Sequence, residues 1–311
     1  MCPTFHFNTT AEDVATAFAE QIQGKNVLVT GTSLNGIGFE TARAVAKYAN
    51  LVIVTGYNKE RLGLTQTELQ KDGPHAEIRP LVLDLASLKD VRRAAAEVNA
   101  YAEPIQVLIN NAVAAIAGFK LSADGFENQL AIDHLGPFLF TALISPKLLA
   151  ARTETFTPRV VFVSSLAHLL GAVNLETWGI PDQASYDLMG AYAQAKTANI
   201  LTAAELSRRS KGAIESYSLH PGKIAEKRKE FGILLPDGSP SLEKYHWKSI
   251  PEGSATTVAA AFDPRLEETP GAFLDDSKVA NHKLSTQAAD PAIVARLWDV
   301  TEELVGFKFT F

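Results

Sequence analysis

Residues 27–49 read VLVTGTSLNGIGFETARAVAKYA. An apolar, β-branched run ends at Thr30, a glycine-rich loop follows, and a helix-forming segment begins at Ile37. Strand, glycine turn and helix in that order are how many proteins hold a dinucleotide. The spacing is unusual, with Thr32, Ser33, Leu34 and Asn35 between Gly31 and Gly36, and only Ile37 between Gly36 and Gly38. Each glycine has a role available: Gly31 for the sharp turn, Gly36 for close approach of phosphate, Gly38 for packing of helix on strand. The helix amino terminus then offers free N–H groups and a positive dipole end. Alone, the loop fits a tight turn as well as a pyrophosphate site.

Outward from this loop, apolar strand-like runs alternate with helical patterns. The strands predicted are Asn26–Thr30, Leu51–Thr55, Ile78–Asp84, Val107–Asn110, Val160–Ser164, Ile214–Leu219 and Ala272–Leu274. Helical patterns cover Ile37–Tyr48, Lys59–Gln70, Leu88–Ala100 and a longer stretch across Glu127–Ile144, after one leading helix. Strands rich in Val, Ile and Leu without polar alternation are buried on both faces, as in a parallel sheet. The pattern predicts an α/β fold: a doubly wound, Rossmann-type parallel sheet of about seven strands with helices on both faces and ligand at the carboxyl ends. A single domain over residues 1–311 is expected, with a substrate-side insertion at 167–190 and a lid at 223–251, because both stretches break the rhythm directly after strands.

Composition narrows the function classes. The chain has 311 residues and a formal net charge of -6, which argues against a nucleic-acid surface. Cys2 is the only cysteine, so an internal disulfide is excluded and a reducing, cytoplasmic setting is expected. The start lacks the basic and apolar regions of a secretory signal, and "PFLFTALISPKLLAA" is too short and interrupted to span a bilayer. Asn8-Thr9-Thr10 reads as a helix-capping stretch, with Thr9 and Glu12 spaced as a capping box. The seven histidines and one cysteine offer no metal-ligand spacing, and there is no G-x-S-x-G elbow.

Chemistry concentrates in "AYAQAKTANIL". Tyr192 and Lys196 lie four apart, hence on one helix face. A free tyrosine ionises near pH ~10 and is no base at neutrality, whereas an ammonium one turn away stabilises the phenolate. Tyr192 can then give a proton to a carbonyl oxygen or take one from an alcohol. Upstream, "RVVFVSSLAH" is a buried strand ending in two serines at the predicted ligand edge.

With these motifs in hand, the chain resembles the short-chain dehydrogenases/reductases over nearly its whole length. "TGTSLNGIG", "LDLAS", "LINNA", "IDHLGPF", "VVFVSS", "YAQAK" and "LHPG" occur in family order. The long gap before "YAQAKTAN" is most similar to the retinol dehydrogenase and WW-domain oxidoreductase branch; "GAFLDDSKVA" and the four-residue loop spacing resemble its fungal members. The resemblance implies that Ser165 binds the substrate carbonyl, that Tyr192 is the acid/base and that Lys196 also holds the nicotinamide ribose. It places Asp84 and Leu85 at the adenine, Asn110 and Asn111 at the brace of the fourth strand, and Gly31, Ser33, Gly36 and Ile37 around the phosphates. Pro221, Gly222 and Ile224 follow as the loop beside the nicotinamide. The same resemblance implies a homodimer through the helices beginning near Glu127 and Tyr192.

An NAD site usually carries an acid at the end of the second strand for the ribose 2′-hydroxyl. Here "TGYNKERL" has none before Glu60, while Asn58, Lys59 and Arg61 are close by, which favours NADP(H); Tyr57 stands where the branch usually has arginine. Three departures matter. Asp133 occupies the catalytic asparagine position, keeping an acceptor, losing a donor and bringing negative charge near Lys196. Glu226 stands where a threonine would hold the nicotinamide carboxamide, and Val113 replaces a glycine beside the cofactor. The expected activity is carbonyl reduction on a fairly apolar small molecule in a fungal biosynthetic setting. The alternative is a cofactor-binding protein of the same fold with weakened or non-redox chemistry.

The run Lys223, Lys227, Arg228, Lys229 reads either as an attractor of an anionic substrate or, as the more ordinary reading, as a solvated lid face interleaved with Glu226 and Glu230. Phe231, Ile233, Leu234, Leu235, Tyr245 and Trp247 either wall an apolar pocket or form the lid's own core, and Trp178, Tyr186 and Met189 face the same two readings. His168 reads as a loop histidine rather than a second acid/base.

Overall fold

The computed structural model describes residues 3–114, 118–179, 183–225 and 246–311. Among them, β1 (Asn26–Val29), β2 (Leu51–Gly56), β3 (Glu77–Val82), β4 (Val107–Asn110), β5 (Arg159–Val163), β6 (Glu215–His220), β7 (Phe273–Asp275) and β8 (Lys278–Val279) form one sheet in the order 3-2-1-4-5-6-7-8. Neighbours are parallel up to β7, and β8 returns antiparallel. The order reverses between β1 and β4, and the glycine loop leaves β1 at that crevice.

The helices are α1 (Ala11–Ala17), α2 (Ala19–Ile22), α3 (Ile37–Ala46), α4 (Lys59–Lys71), α5 (Leu88–Asn99), α6 (Asn128–Leu130), α7 (Gly136–Leu149), α8 (Leu188–Ser210), α9 (Ile250–Phe262) and α10 (Pro291–Val305). Alternate strand residues feed two cores. Val27, Val29, Val52, Val54 and Ile109 pack with α1, α3 and α9, whereas Leu28, Ile53, Leu108 and Phe162 pack with α5, α7, α8 and α10. That is why the strands read as continuous apolar runs.

Several local expectations are corrected. The predicted helix across Glu127–Ile144 is present as one helical stretch but is not uniformly α: α6 passes into a π-helical turn, Ala131–Leu135, which passes into α7. The capping box lies one residue later than predicted, with Thr10 and Asp13 exchanging hydrogen bonds, while the Thr9 hydroxyl accepts from the His6 N–H at 3.0 Å. The two-residue β8 is too short to leave a sequence pattern. Of the predicted lid, residues 226–245 lie outside the described residues, among them Glu226, Lys227, Arg228, Lys229, Glu230, Phe231, Ile233, Leu234, Leu235 and Tyr245. Its stems are described: the Ala225 N–H donates to the Lys248 carbonyl at 2.9 Å and the Lys248 N–H to the Lys223 carbonyl at 2.8 Å.

α10 and the aromatic tail cover α7 and α8. Trp298 meets Phe138 edge-on at 4.8 Å and stacks on Phe309 at 5.3 Å. His134 shares a hydrogen bond of 2.9 Å with Thr301, and Arg92 donates to the Val305 carbonyl at 2.8 Å. From Tyr192 to Leu206 every residue of α8 is buried except half-buried Gln194 and Ala204, and α7 is buried throughout Gly136–Ala142. α10 and the tail thus cover part of the helices to which the resemblance assigned subunit pairing.

Trp298→Ala is expected to cost about 3–5 kcal/mol in denaturant unfolding, through a cavity between α10 and α7. Acid should also destabilise the fold. Burial depresses His134 to about 3, and burial with Lys248 nearby depresses His220 to about 4, from an ordinary 6.5. Below that ordinary value the unfolded chain takes up protons the native state refuses. Stability measured by urea titration should therefore fall as pH drops from about 6.5 toward 3.

Candidate active site

The end of β1 is knotted to the end of β4. The Thr30 hydroxyl accepts from the N–H groups of Asn111 at 3.0 Å and Ala112 at 3.1 Å, and the Asn111 amide donates to the carbonyls of Thr30 at 2.9 Å and Gly31 at 3.0 Å. Gly31 turns with φ +71°, and a Cβ there would fall 2.6 Å from the Ala112 Cα. A Cβ on Gly38 would fall 2.3 Å from the Asn111 amide nitrogen and 2.5 Å from the Gly31 carbonyl, so Gly38 lets α3 pack on the end of β1 and the loop after β4 together. Gly36 opens α3 without a side-chain cap, which leaves first-turn N–H groups available to an acceptor beside Gly36 and Ile37. Ser33 is exposed on the same loop. An uncapped helix terminus under an open glycine loop fits a pyrophosphate.

The other predicted cofactor residues surround this point at the carboxyl edge. After β2, Asn58 caps α4 by accepting the Arg61 N–H at 3.0 Å, and Lys59 is exposed. After β3, Asp84 accepts the Ala86 N–H at 2.9 Å while its own N–H donates to Asp90 at 2.7 Å; Leu85 is buried, with its carbonyl against Gly136. Asn110 turns away, donating to Thr141 at 3.0 Å. After β6, Pro221 and Gly222 lie under the Lys248 stem, and Ile224 packs on Gly253.

Ser165, Tyr192, Lys196 and Asp133 come together. The two serines after β5 divide their work: Ser164 is buried and donates to the Lys196 carbonyl at 2.7 Å, which fixes α8, while Ser165 faces Tyr192. The Ser165 oxygen accepts the Ala167 N–H at 3.1 Å, so its hydroxyl proton is directed to the Tyr192 oxygen. The Lys196 ammonium lies 5.4 Å from the Tyr192 ring centre, 3.3 Å from the Val163 carbonyl and 2.9 Å from one Asp133 oxygen. The other Asp133 oxygen accepts the Ala114 N–H at 2.6 Å. Asp133 and Lys196 are 1 % and 2 % exposed, so this ion pair is dry. The π turn, a deformation frequent at functional sites, carries Asp133 to that position.

Lys196 lowers Tyr192 as the one-turn spacing predicts, but a larger effect outweighs it. Burial pushes the Tyr192 phenol up; Lys196 and the Ser165 hydroxyl oppose this, and Asp133 adds to it, leaving the net direction upward. Burial disfavours the charge on Lys196, yet Asp133 and Tyr192 carry it above the ordinary lysine value. Burial likewise raises the Asp133 carboxyl against the pull of Lys196 and the Ala114 N–H.

Around the site, His168 is structural: its ring accepts from the Ser285 N–H at 3.4 Å, pairs with the Ser165 carbonyl at 2.8 Å and lies against Phe273. In the insertion, Trp178 joins the core against His134, Tyr186 donates to Glu127 at 3.0 Å with its ring edge-on to Phe119, and Met189 is 37 % exposed. Val113 is 53 % exposed at the rim, so it does not fill the loop it enters. Sequence reasoning missed Thr30, the Ala114 N–H, the Val163 carbonyl and Glu127; a threonine closing the strand before a glycine loop is the one signal present. A cleft of about 360 Å³ at the amino edge of the sheet, lined by Lys25, Gln106, Phe156 and Arg159, brings together no comparable group, because Arg159 is paired with Glu215 at 3.0 Å.

A family model described as short chain dehydrogenase matches residues 25–179. Retinol dehydrogenase 11 of Homo sapiens is 34% identical over 294 residues, spanning 92% of this chain and 87% of that protein. Short-chain dehydrogenase/reductase prx1 of Penicillium rubens is 33% identical over 303 residues, spanning 93% and 87%. The crystal structure of an uncharacterised protein from Mycobacterium paratuberculosis superposes with a TM-score of 0.72 at 28% identity, covering 94% of this chain and 98% of that one.

Lys196→Met should destabilise by about 3–5 kcal/mol, because it strands the Asp133 charge in the interior. Adding Asp133→Leu should restore most of that loss, a recovery that chemical denaturation of the single and double variants will measure.

Proposed function

The chain belongs to the short-chain dehydrogenase/reductase family, and on that premise we propose that it is an NADPH-dependent reductase of a ketone or aldehyde on a fairly apolar small molecule. The observation that carries this reading is the meeting of Ser165, Tyr192 and Lys196 at the carboxyl end of β5, beside the uncapped terminus of α3. Bound on the glycine loop, the cofactor would supply a hydride. Gly31, Ser33, Gly36 and Ile37 would hold its phosphates, Asp84 and Leu85 its adenosine side, and Tyr192, Lys196, Pro221, Gly222 and Ile224 its nicotinamide side, with Asn111 bracing the fourth strand beside it. Ser165 orients the substrate carbonyl by donating to its oxygen, Tyr192 gives that oxygen a proton, and Lys196 holds the ribose with the donor left after Asp133 and Val163.

The NADP(H) preference rests on the end of β2, where no acid precedes Glu60 and Asn58, Lys59 and Arg61 are exposed. The apolar substrate rests on exposed Val113, Leu169, Leu170 and Met189, all near the carboxyl ends of β4 and β5 or the start of α8. Similarity to a Penicillium relative supports the fungal setting. No helix among the described residues is long and apolar enough to cross a membrane. A homodimer belongs to the same reading. The direct Asp133–Lys196 pair favours one second reading, a cofactor-binding protein with weakened redox chemistry.

Thermal unfolding with NADPH, NADH or neither tests the cofactor. NADPH at a hundred times its Kd should add about 2.7 kcal/mol, and NADH at equal concentration less. Tyr192→Phe should keep that shift and lose NADPH oxidation over a panel of apolar carbonyls. A shift without turnover in the unaltered protein selects the second reading, and no shift with either nucleotide overturns both.

A further inference from the structure

The group that departs from the family pattern sits in contact with the group on which the proton chemistry depends. Lys196 has three N–H donors; one faces Asp133 at 2.9 Å and another the Val163 carbonyl at 3.3 Å. Both Asp133 oxygens face donors, the ammonium and the Ala114 N–H at 2.6 Å, an arrangement that suits the carboxylate. Resting on the reductase reading, we infer that Asp133 is a positioning residue that takes up the charge of Lys196 and leaves Tyr192 a standing proton donor, so that the site reduces carbonyls at neutral pH and oxidises alcohols only in alkaline solution.

The physical reason is the distance ordering. An ammonium stabilises a phenolate through its net charge, and a carboxylate in contact with that ammonium turns the pair into a dipole with a much shorter reach. With the monopole cancelled, the Ser165 hydroxyl is the stabilising contact that remains. Two charged groups act on Tyr192, Lys196 on its own helix and Asp133 from the π turn; Glu127, at the start of α6, acts on Asp133 and is itself bonded to Tyr186. His168, from the turn after β5, is directed at the Ser165 carbonyl and Phe273.

In the reductive direction the substrate C=O π bond would break as its carbon takes the hydride that NADPH supplies, leaving NADP+, and its oxygen takes the Tyr192 proton; solvent would then reprotonate the phenolate. That sequence requires a protonated tyrosine, which this site maintains. Alcohol oxidation requires the phenolate first, and this site withholds it.

The test reads the tyrosine itself, without turnover. The ultraviolet difference titration of the protein minus Tyr192→Phe isolates Tyr192 among the seven tyrosines. In the unaltered protein it should show no Tyr192 phenolate below pH ~10. Repeating the pair of measurements in the Asp133→Asn background should move ionisation down by at least one pH unit, about tenfold in the equilibrium. Phenolate appearing near neutrality in the unaltered protein, or the same titration in both backgrounds, overturns the inference. If Asp133→Asn fails to fold, Asp133→Ser replaces it as the background, because burial also raises Tyr192 and only the comparison of backgrounds separates the two causes. Loss of turnover with the expected titration would overturn the reductase reading and leave the charge pairing standing. Where turnover is measurable, the alkaline limb of alcohol oxidation should shift with the titration, while reduction near pH 7 keeps its protonated donor.

Discussion

The structure hangs on the knot of hydrogen bonds between Thr30 and Asn111. A parallel sheet whose order reverses between two strands leaves their ends diverging, and something must hold the crevice open at one width. Here a single threonine hydroxyl accepts two successive N–H groups of the β4 loop, and the Asn111 amide answers by donating to two carbonyls of the β1 loop. Gly38, and with it the start of α3, is placed against that amide. The same loop runs on to Ala114, whose N–H fixes Asp133, which in turn fixes Lys196 below Tyr192. Nucleotide cradle and proton-handling group therefore share one chain of contacts and one register.

The dry ion pair is the costly link in that chain. Two charges removed from water are repaid only by close contact and by further hydrogen bonds, which here come from the Ala114 N–H to Asp133 and from Lys196 to the Val163 carbonyl. The π turn is what the backbone contributes. One extra residue in the helical ladder advances Asp133 toward α8 while Leu135 and Phe138 stay in the core behind it. An asparagine at that position would need no such counter-charge, so the substitution and its ionic contact have to be read together.

What the sequence disclosed was whatever follows from periodicity and from short-range chemistry. The strands at 26–30, 51–55 and 107–110, the glycine loop and the one-turn spacing of Tyr192 and Lys196 stood out because each is a local pattern. Asp133 was visible as a departure, yet its bond to Lys196 spans 63 positions and depends on the π turn, which has no residue signature. The division between Ser164 and Ser165 was invisible for the same reason, since adjacent serines look alike until a strand's alternation assigns one to the core. The aromatic cover from Trp298 and Phe309 was missed because a helix that packs on other helices shows its partner only in three dimensions. The upward direction of Tyr192 was likewise out of reach, because burial is a property of the assembled layers.

The stems on either side of residues 226–245 meet in a two-bond parallel bridge at Ile224 and Lys248, with Lys248 buried and paired to Asp276 at 2.6 Å. Asp276 lies in the turn between β7 and β8, so the clasp ties the loop after β6 to the far edge of the sheet. The edge hairpin thereby sets the height of that loop, because the Lys248 chain that reaches Asp276 also lies against Gly222, where an added Cβ would fall 2.6 Å from the Lys248 Cδ. A change at the outermost strand would therefore be felt at Gly222 and Ile224 rather than at the edge where it was made.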